Sequence, residues 1–290
     1  MKKIIVAGSL NMDMVIHAPY CPSGGETLTG DDFMMNCGGK GANQATAASK
    51  LGGNVMMCGR VGNDQFGTAL SQNLQNCGVD TRFVRLAEGV CTGIAMIIVT
   101  NGENRIIVDA GANACLNKED IDSVLSAAEP GDLFLTQLEN PVEIIGYGLQ
   151  RAKERGMLTV LNPAPADVSI MEYLHCVDLI LPNESELEIL GGKQKLFQAG
   201  ARTIITTLGS RGYEIATDRV ARIYPCIRVK AIDTTAAGDT VCGGLAAGLA
   251  RGESLEEAMA FGSKAASIAC TRKGAAQSVP FREEVLKYPK

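Results

Sequence analysis

The segment Asp233-Thr234-Thr235-Ala236-Ala237-Gly238-Asp239-Thr240 is where this sequence offers chemistry most openly. Before it, residues 226–232 alternate apolar with polar or small side chains, which predicts a strand. After it, residues 241–249 form a run of small and apolar residues, suited to a helix that packs closely or lets a ligand approach. Ala236, Ala237 and Gly238 are the hinge between the two. A helix that starts there points unpaired backbone N–H groups, and the positive end of its dipole, above the strand. That suits an anion, phosphate most of all. Asp239 then has two readings. It caps the helix, as aspartates commonly do, or it is a base aimed at a hydroxyl about to attack a phosphoryl group.

The other candidates say less one by one. Gly38-Gly39-Lys40-Gly41-Ala42-Asn43 opens a helix that runs to Leu51 and is stopped by Gly52 and Gly53. It is not a P-loop, which needs Ser or Thr after the lysine, and Lys40 is followed by Gly41. What remains is a glycine-rich helix start with one lysine, compatible with close backbone approach to a polar ligand. Asn11 and Asp13 follow a first strand over residues 4–7 and could both face one ligand, or could be ordinary loop residues. A dinucleotide-binding protein would carry Gly-x-Gly-x-x-Gly there, but only Gly8 is present, so hydride transfer loses its main support. Glu139 ends a strand and reads as a solvated charge or a ligand contact. Asn183-Glu184-Ser185-Glu186 is a short pattern that arises often by chance, with Asn183 a natural helix cap. Magnesium keeps several waters and takes few carboxylates, so one well-placed Glu186 would be enough to serve it. The glycines of Thr207-Leu208-Gly209-Ser210-Arg211-Gly212 mark a turn first.

The elements that must position these residues follow a regular rhythm. Strands predicted over residues 133–135, 158–161, 177–181 and 203–207 alternate with helices over 141–155 and 184–190. The pattern predicts an α/β fold, a doubly wound and mostly parallel sheet with helices on both faces. Ligands in such sheets bind beyond the carboxyl ends of the strands. Asn11, Asp13, Glu139, Asn183, Gly209 and Asp239 all come just after predicted strands, so one rim should gather them. Residues 94–99 and 105–108 flank Asn101-Gly102, the turn pair most favoured in hairpins. With strand-like pieces at 14–16 and 33–35, they predict a small separate sheet, from about 12–36 and 92–111, closing as a lid on one domain of residues 1–290. Ser254 with Glu257 three residues on is a capping box for a helix to about Thr271, a structural feature.

Composition removes several function classes. In 290 residues, 46% hydrophobic content supports a sizeable core. With 27 basic against 32 acidic residues the net charge is −5 and no basic cluster stands out, which argues against nucleic acid as a partner. The ten cysteines are scattered from Cys21 to Cys270 without a Cys-x-x-Cys pair, and only His17 and His175 could join them at a metal. They read as small hydrophobes in a reducing cytoplasm. The first apolar run is too short for a signal peptide and no run reaches membrane-spanning length, so a membrane partner is not expected.

Taken together, the motifs resemble those of the ribokinase (PfkB) family of sugar kinases. Residues 233–239 resemble the family signature whose last Asp is the catalytic base. Gly39-Lys40-Gly41 with Asn43-Gln44 resembles the other signature, which binds sugar, and Gly24-Gly25-Glu26-Thr27 fits the same pattern. The resemblance spans essentially the whole chain, with motifs in the family order. It departs at Val241 and Cys242, where Phe-Asn is common. It implies sugar contacts at Asn11, Asp13, Gly38, Gly39, Lys40, Asn43, Glu139 and Asp239, and an anion hole at Ala236, Ala237 and Gly238. ATP would lie against Asn183, Thr207, Gly209, Gly212 and Gly238, with Mg2+ held through water by Glu186. A K+ activator would sit among carbonyls of Asp233, Thr235, Ala269, Arg272 and Gly274 and the Ser278 hydroxyl. The β lid implies a homodimer. The Asn-x-Asp pair at Asn11 and Asp13 favours ribose, phosphorylated at its 5-hydroxyl, over 2-deoxyribose, fructose or a nucleoside such as adenosine. A sugar-binding protein without catalysis is disfavoured by the intact Asp239.

Overall fold

The fold is described from a computed structural model for residues 1–101 and 103–289. In chain order it opens with β1 (Lys3–Ala7), β2 (Asn11–His17), β3 (Asp31–Gly38), α1 (Lys40–Lys50), β4 (Asn54–Gly62), α2 (Gln65–Asn76) and β5 (Asp80–Ala87). Next come β6 (Gly93–Thr100), β7 (Glu103–Asp109), α3 (Lys118–Leu125), β8 (Leu133–Thr136), α4 (Val142–Glu154), β9 (Leu158–Leu161) and β10 (Leu179–Ile180). The last part holds α5 (Glu184–Ile189), α6 (Gly192–Gln198), β11 (Thr203–Thr207), β12 (Tyr213–Ala216), β13 (Ala221–Tyr224), α7 (Ala237–Ala250), α8 (Leu255–Ala269) and α9 (Arg282–Lys287).

Nine strands form one sheet in the order β13-β12-β11-β10-β9-β8-β1-β4-β5, parallel except for the β11-β12-β13 edge. Alternate residues of a strand point to opposite faces. In β1, Ile4 and Val6 accordingly enter a core shared with Ala47 of α1, Leu51 just after it, Leu245 of α7 and Met259 of α8. Ile5 and Ala7 enter a second core with Ile121, Ile145 and Leu149 of α3 and α4. Helices therefore cover both faces, and the doubly wound expectation holds. A second sheet, ordered β3-β2-β6-β7, stands apart from the first. It is the small sheet predicted from the hairpin, whose Asn101 has φ 51°; Gly102, the other half of that turn pair, lies outside the described residues.

The small-residue run becomes α7, wedged between α1 and α8. A Cβ on Gly243 would lie 2.6 Å from the Ala47 Cβ, and one on Gly244 would lie 2.5 Å from the Gly262 Cα, so larger side chains would force the helices apart. This tight packing lets α1 and α7 bring their first turns together.

The structure corrects three expectations. Residues 226–232 are irregular and not a strand: β13 is the edge of the sheet, its pairing with β12 ends at Tyr224, and an alternating pattern cannot make a ladder without a neighbour. Asn11 and Asp13, read as alternating on a strand edge, do begin β2 of the small sheet, and Asp239 lies in the first turn of α7. Residues 177–181 contribute only a two-residue strand, and the capping-box helix stops at Ala269. The Ser254–Glu257 box itself is present.

Candidate active site

Asp239 is the third residue of α7 and is almost fully buried. Its carboxylate does not cap its own helix. Oδ2 accepts from Asn43 Nδ2 at 3.0 Å and Oδ1 from Gln44 Nε2 at 2.9 Å, both on the first turn of α1. The capping alternative therefore falls away. Burial pushes the Asp239 pKa up, opposed by the Lys40 charge and by the bonds from Gln44 and Asn43, and the net shift is upward. A raised carboxylate is better matched to accepting a proton near neutral pH.

The start of α7 carries no side-chain cap. The Ala237 N–H turns back to the Thr234 carbonyl at 3.1 Å, whereas the N–H groups of Ala236 and Gly238 have no protein acceptor among the described residues. Of the three expected anion-hole donors, two are thus free in this conformation, and a Cβ added to Gly238 would meet open space.

The expected sugar contacts form a polar cluster on one side of Asp239. Gly39, with φ 88°, precedes α1, and a Cβ there would sit 2.7 Å from the Asn11 N, so only glycine lets β2 and α1 meet this closely. A Cβ on Gly38 would similarly strike the Asp13 carboxylate at 2.1 Å. Glu139 follows β8 and accepts from the Lys40 N–H at 3.1 Å and from the Ser9 hydroxyl. Lys40 feels two opposed effects: burial lowers its pKa, but Asp239, Glu139 and Glu186 outweigh it and the ammonium ends above its ordinary value. The Asp13 carboxyl is pushed up to about 7 by burial, then by the negative charges of Glu139 and Asp239, with Lys40 pulling the other way. Asn11 is held by Asn113, whose Nδ2 donates to its Oδ1 at 2.7 Å.

On the other side of Asp239 lies a cavity of about 660 Å³. Thr207, Gly209, Gly212 and Gly238, four of the five expected nucleotide contacts, line it together with Ala237, and so does Val241, one of the two departures from the family pattern. The irregular segment 226–232 supplies much of another wall through Cys226, Ile227 and Val229. Asn183 does not line the cavity. It caps α5, its Oδ1 accepting from the Glu186 N–H while the Glu186 carboxylate accepts from the Asn183 N–H, both at 2.8 Å. A bridge to Thr207 keeps it next to the pocket. Burial raises the Glu186 pKa against the Asn183 bond and the Lys40 charge.

The residues expected around a monovalent cation also converge. Asp233 Oδ1 accepts from the Thr235 N–H at 2.9 Å and Oδ2 from the Gly274 N–H at 2.9 Å, while the Ile232 N–H reaches the Cys270 carbonyl at 2.8 Å. Ala269 and Arg272 are joined by a turn, and the Ser278 hydroxyl donates to the Ala275 carbonyl at 2.8 Å. The Asp233 side chain is thus a brace, which leaves backbone carbonyls as the donors. Among the described residues no group of three His, Cys, Asp or Glu could chelate a metal.

Sequence reasoning passed over Ser9, Gln44, Asn113 and Asn162. The Gln44 next to Asn43 was visible in the signature, but nothing local says that its side chain reaches Asp239.

A sheet wound on both faces, a separate small sheet and one carboxylate between a polar cluster and a glycine-lined pocket describe a phosphotransferase of the sugar-kinase type. The match to known proteins agrees. The model of the pfkB family carbohydrate kinases matches residues 1–282, and this chain belongs to that family. It is 39% identical to a ribokinase of Haemophilus influenzae over 99% of this chain and 98% of the relative. It is 35% identical to a deoxyribokinase of Salmonella typhi over 98% of each. The structure of Arabidopsis thaliana ribokinase complexed with ribose and ATP superposes with a TM-score of 0.86 at 29% identity, covering 99% of this chain and 98% of that one. The protein is a sugar kinase.

Proposed function

We propose that this enzyme transfers the γ-phosphoryl group of ATP to the 5-hydroxyl of D-ribose, giving ribose 5-phosphate and ADP. The observation that carries the reading is Asp239, buried and oriented by two amides between a hydroxyl-binding cluster and a nucleotide-sized pocket. Asp239 accepts the hydroxyl proton as the oxygen attacks. The N–H groups of Ala236 and Gly238, with Ala237 once its turn relaxes, offset charge on the transferring group. Asn11, Asp13, Gly38, Gly39, Lys40, Asn43 and Glu139 hold the sugar, a number of convergent polar groups that suits a molecule with several hydroxyls. Thr207, Gly209, Gly212 and Gly238 receive the nucleotide, with Asn183 beside them.

Mg2+ would supply charge neutralisation at the triphosphate, and Glu186, a half-buried carboxylate, fits an ion that keeps most of its waters. The carbonyl-rich meeting of residues 232–235 with 269–278 fits K+, which would shape the anion hole from behind without touching substrate. The four-stranded sheet would act as a lid on a single domain, and its exposed Phe33, Met35, Met96 and Ile107 would be the contact of a homodimer. Ten free cysteines suit the reducing cytoplasm. Among the described residues no helix is long and apolar enough to cross a membrane.

ADP release measured with ribose, 2-deoxyribose, fructose and adenosine tests the substrate. Ribose should give the highest kcat/KM; tenfold better turnover of any of the others would overturn the assignment.

A further inference from the structure

Asp239 is not held by one neighbour but by a chain of side-chain amides that begins at the backbone of the sheet. Gln44 Nε2, which donates to Asp239 Oδ1, donates also to Asn162 Oδ1 at 3.0 Å. Asn162 Nδ2 in turn donates to the Leu181 carbonyl at 2.9 Å. At the other end of the same amide, Gln44 Oε1 accepts from Gln137 Nε2 at 2.6 Å. Gln44 is wholly buried, and Gln137 and Asn162 are nearly so.

These bonds leave one sense for the Gln44 amide. A backbone carbonyl can only accept, so Leu181 fixes which end of Asn162 is the donor and turns Asn162 Oδ1 toward Gln44. Gln44 must then present its NH2 to both Asn162 and Asp239. The reversed amide would set its oxygen against two acceptors, one of them a carboxylate. Gln137, Asn162 and Leu181 follow β8, β9 and β10, three neighbouring strands of the main sheet. All three are anchored in the rim of that sheet.

We propose that Gln44 is a positioning residue for the base: locked by Gln137 and Asn162, it fixes the rotation of the Asp239 carboxylate and keeps it ionised. The inference rests on the reading of Asp239 as the base and adds to it. Asn43 and Gln44 occupy one acceptor site on each oxygen, so the remaining lone pairs have a set direction for the sugar hydroxyl. A donor 2.9 Å away also favours the charged form, against the upward push of burial on the Asp239 pKa. Other groups act on the same carboxylate. Lys40 of α1 favours its charge, whereas Glu139 after β8, Asp13 of β2 and Glu186 of α5 oppose it. Cys242 of α7 faces it as a neutral thiol. None of these donates a hydrogen bond to Asp239.

The test is the pH profile of kcat at saturating sugar and ATP, in wild type, Gln44→Leu, Gln137→Leu and Asp239→Asn. Loss of one hydrogen bond to a charged group should move the acid limb of Gln44→Leu up by roughly one to two pH units. Its kcat deficit should then be larger on the acid limb than on the alkaline plateau, with the sugar KM near that of wild type. Gln137→Leu frees the amide to turn without touching Asp239, so it should shift the limb in the same direction by less. If Gln44→Leu does not fold, the Gln137→Leu limb decides alone. A limb that stays put in the folded variant, with an equal deficit at every pH, overturns the proposal. Asp239→Asn separates the two layers: if it keeps near-wild-type activity, the base assignment has failed. If it is inactive while the limb does not move, only the role of Gln44 has.

Discussion

The two sheets of this molecule are built to opposite specifications. In the nine-stranded sheet, β1 and β8 are buried along almost their whole length, with helices packed on both faces. In the four-stranded sheet, β7 is exposed at every position and Ile107 is 71% accessible. The first has no freedom to move without breaking a core, whereas the second has much of its apolar surface in solvent. The chemistry divides along the same line. Asp239, Gln44 and the α7 N-terminus are fixed to the rigid sheet, while Asn11 and Asp13 ride on β2 of the open one. On the proposed reading, proton transfer would belong to the part that cannot shift, and the sugar contacts of Asn11 and Asp13 to the lid, with Lys40, Asn43 and Glu139 on the rigid side between them.

If that division is right, a change on the rigid side should strike the chemical step most heavily. Asp239→Asn keeps size and an amide partner for Asn43, so binding should largely survive. Loss of a general base costs roughly 10²–10⁴-fold, read in kcat more than in KM. A folded Asp239→Asn protein within threefold of wild type would erase the distinction between the sheets.

On the open side the expected effect is on binding. Asp13→Ala should raise the sugar KM by roughly 10–100-fold, the worth of a hydrogen bond to a charged group, with a smaller change in kcat. Steady-state kinetics would break the comparison if kcat fell more than KM rose.

A smaller effect follows from the Asp13 pKa of about 7. Hydroxyl donors favour the carboxylate, so the sugar KM should fall roughly tenfold between pH 6 and pH 8 as the free enzyme loses that proton. The Asp13→Asn variant should show no such trend, and a wild-type KM flat over that range would refute it. In the ligand-free protein the sign for stability is opposite. A carboxyl raised from 3.8 to about 7 binds its proton more tightly when folded, so this contribution is full below 3.8 and is lost as pH climbs to about 7. Thermal melts without sugar would follow it.

The mildest test concerns association. Ile107→Lys places a charge on the exposed face of β7 and should turn a dimer into monomers in sedimentation, leaving the main fold intact. Unchanged sedimentation would move the dimer contact elsewhere. The cation reading has its own check: rates in potassium should exceed those in sodium at matched ionic strength, and equal rates would count against an occupied functional site.

What the sequence determined by itself was local and periodic. The alternation of strands and helices from residue 132 onward, the hairpin of the small sheet, the capping box at Ser254 and the glycine-rich starts of α1 and α7 are written in nearest-neighbour chemistry, and each is present. The elements β4, α2 and β5, from Asn54 to Ala87, become visible only in the structure. Residues 226–232 alternate without forming a strand, because alternation describes a strand only where a neighbour exists to pair with it. Whether Asp239 caps its helix or serves as a base could not be decided from its own segment. The answer lies in Asn43 and Gln44, some two hundred positions earlier in the chain, which meet it only because Gly243 lets α1 and α7 pack in contact. Hydrogen bonds between side chains so distant in sequence leave no periodic trace, so it took the tertiary structure to turn a list of polar residues into an oriented carboxylate.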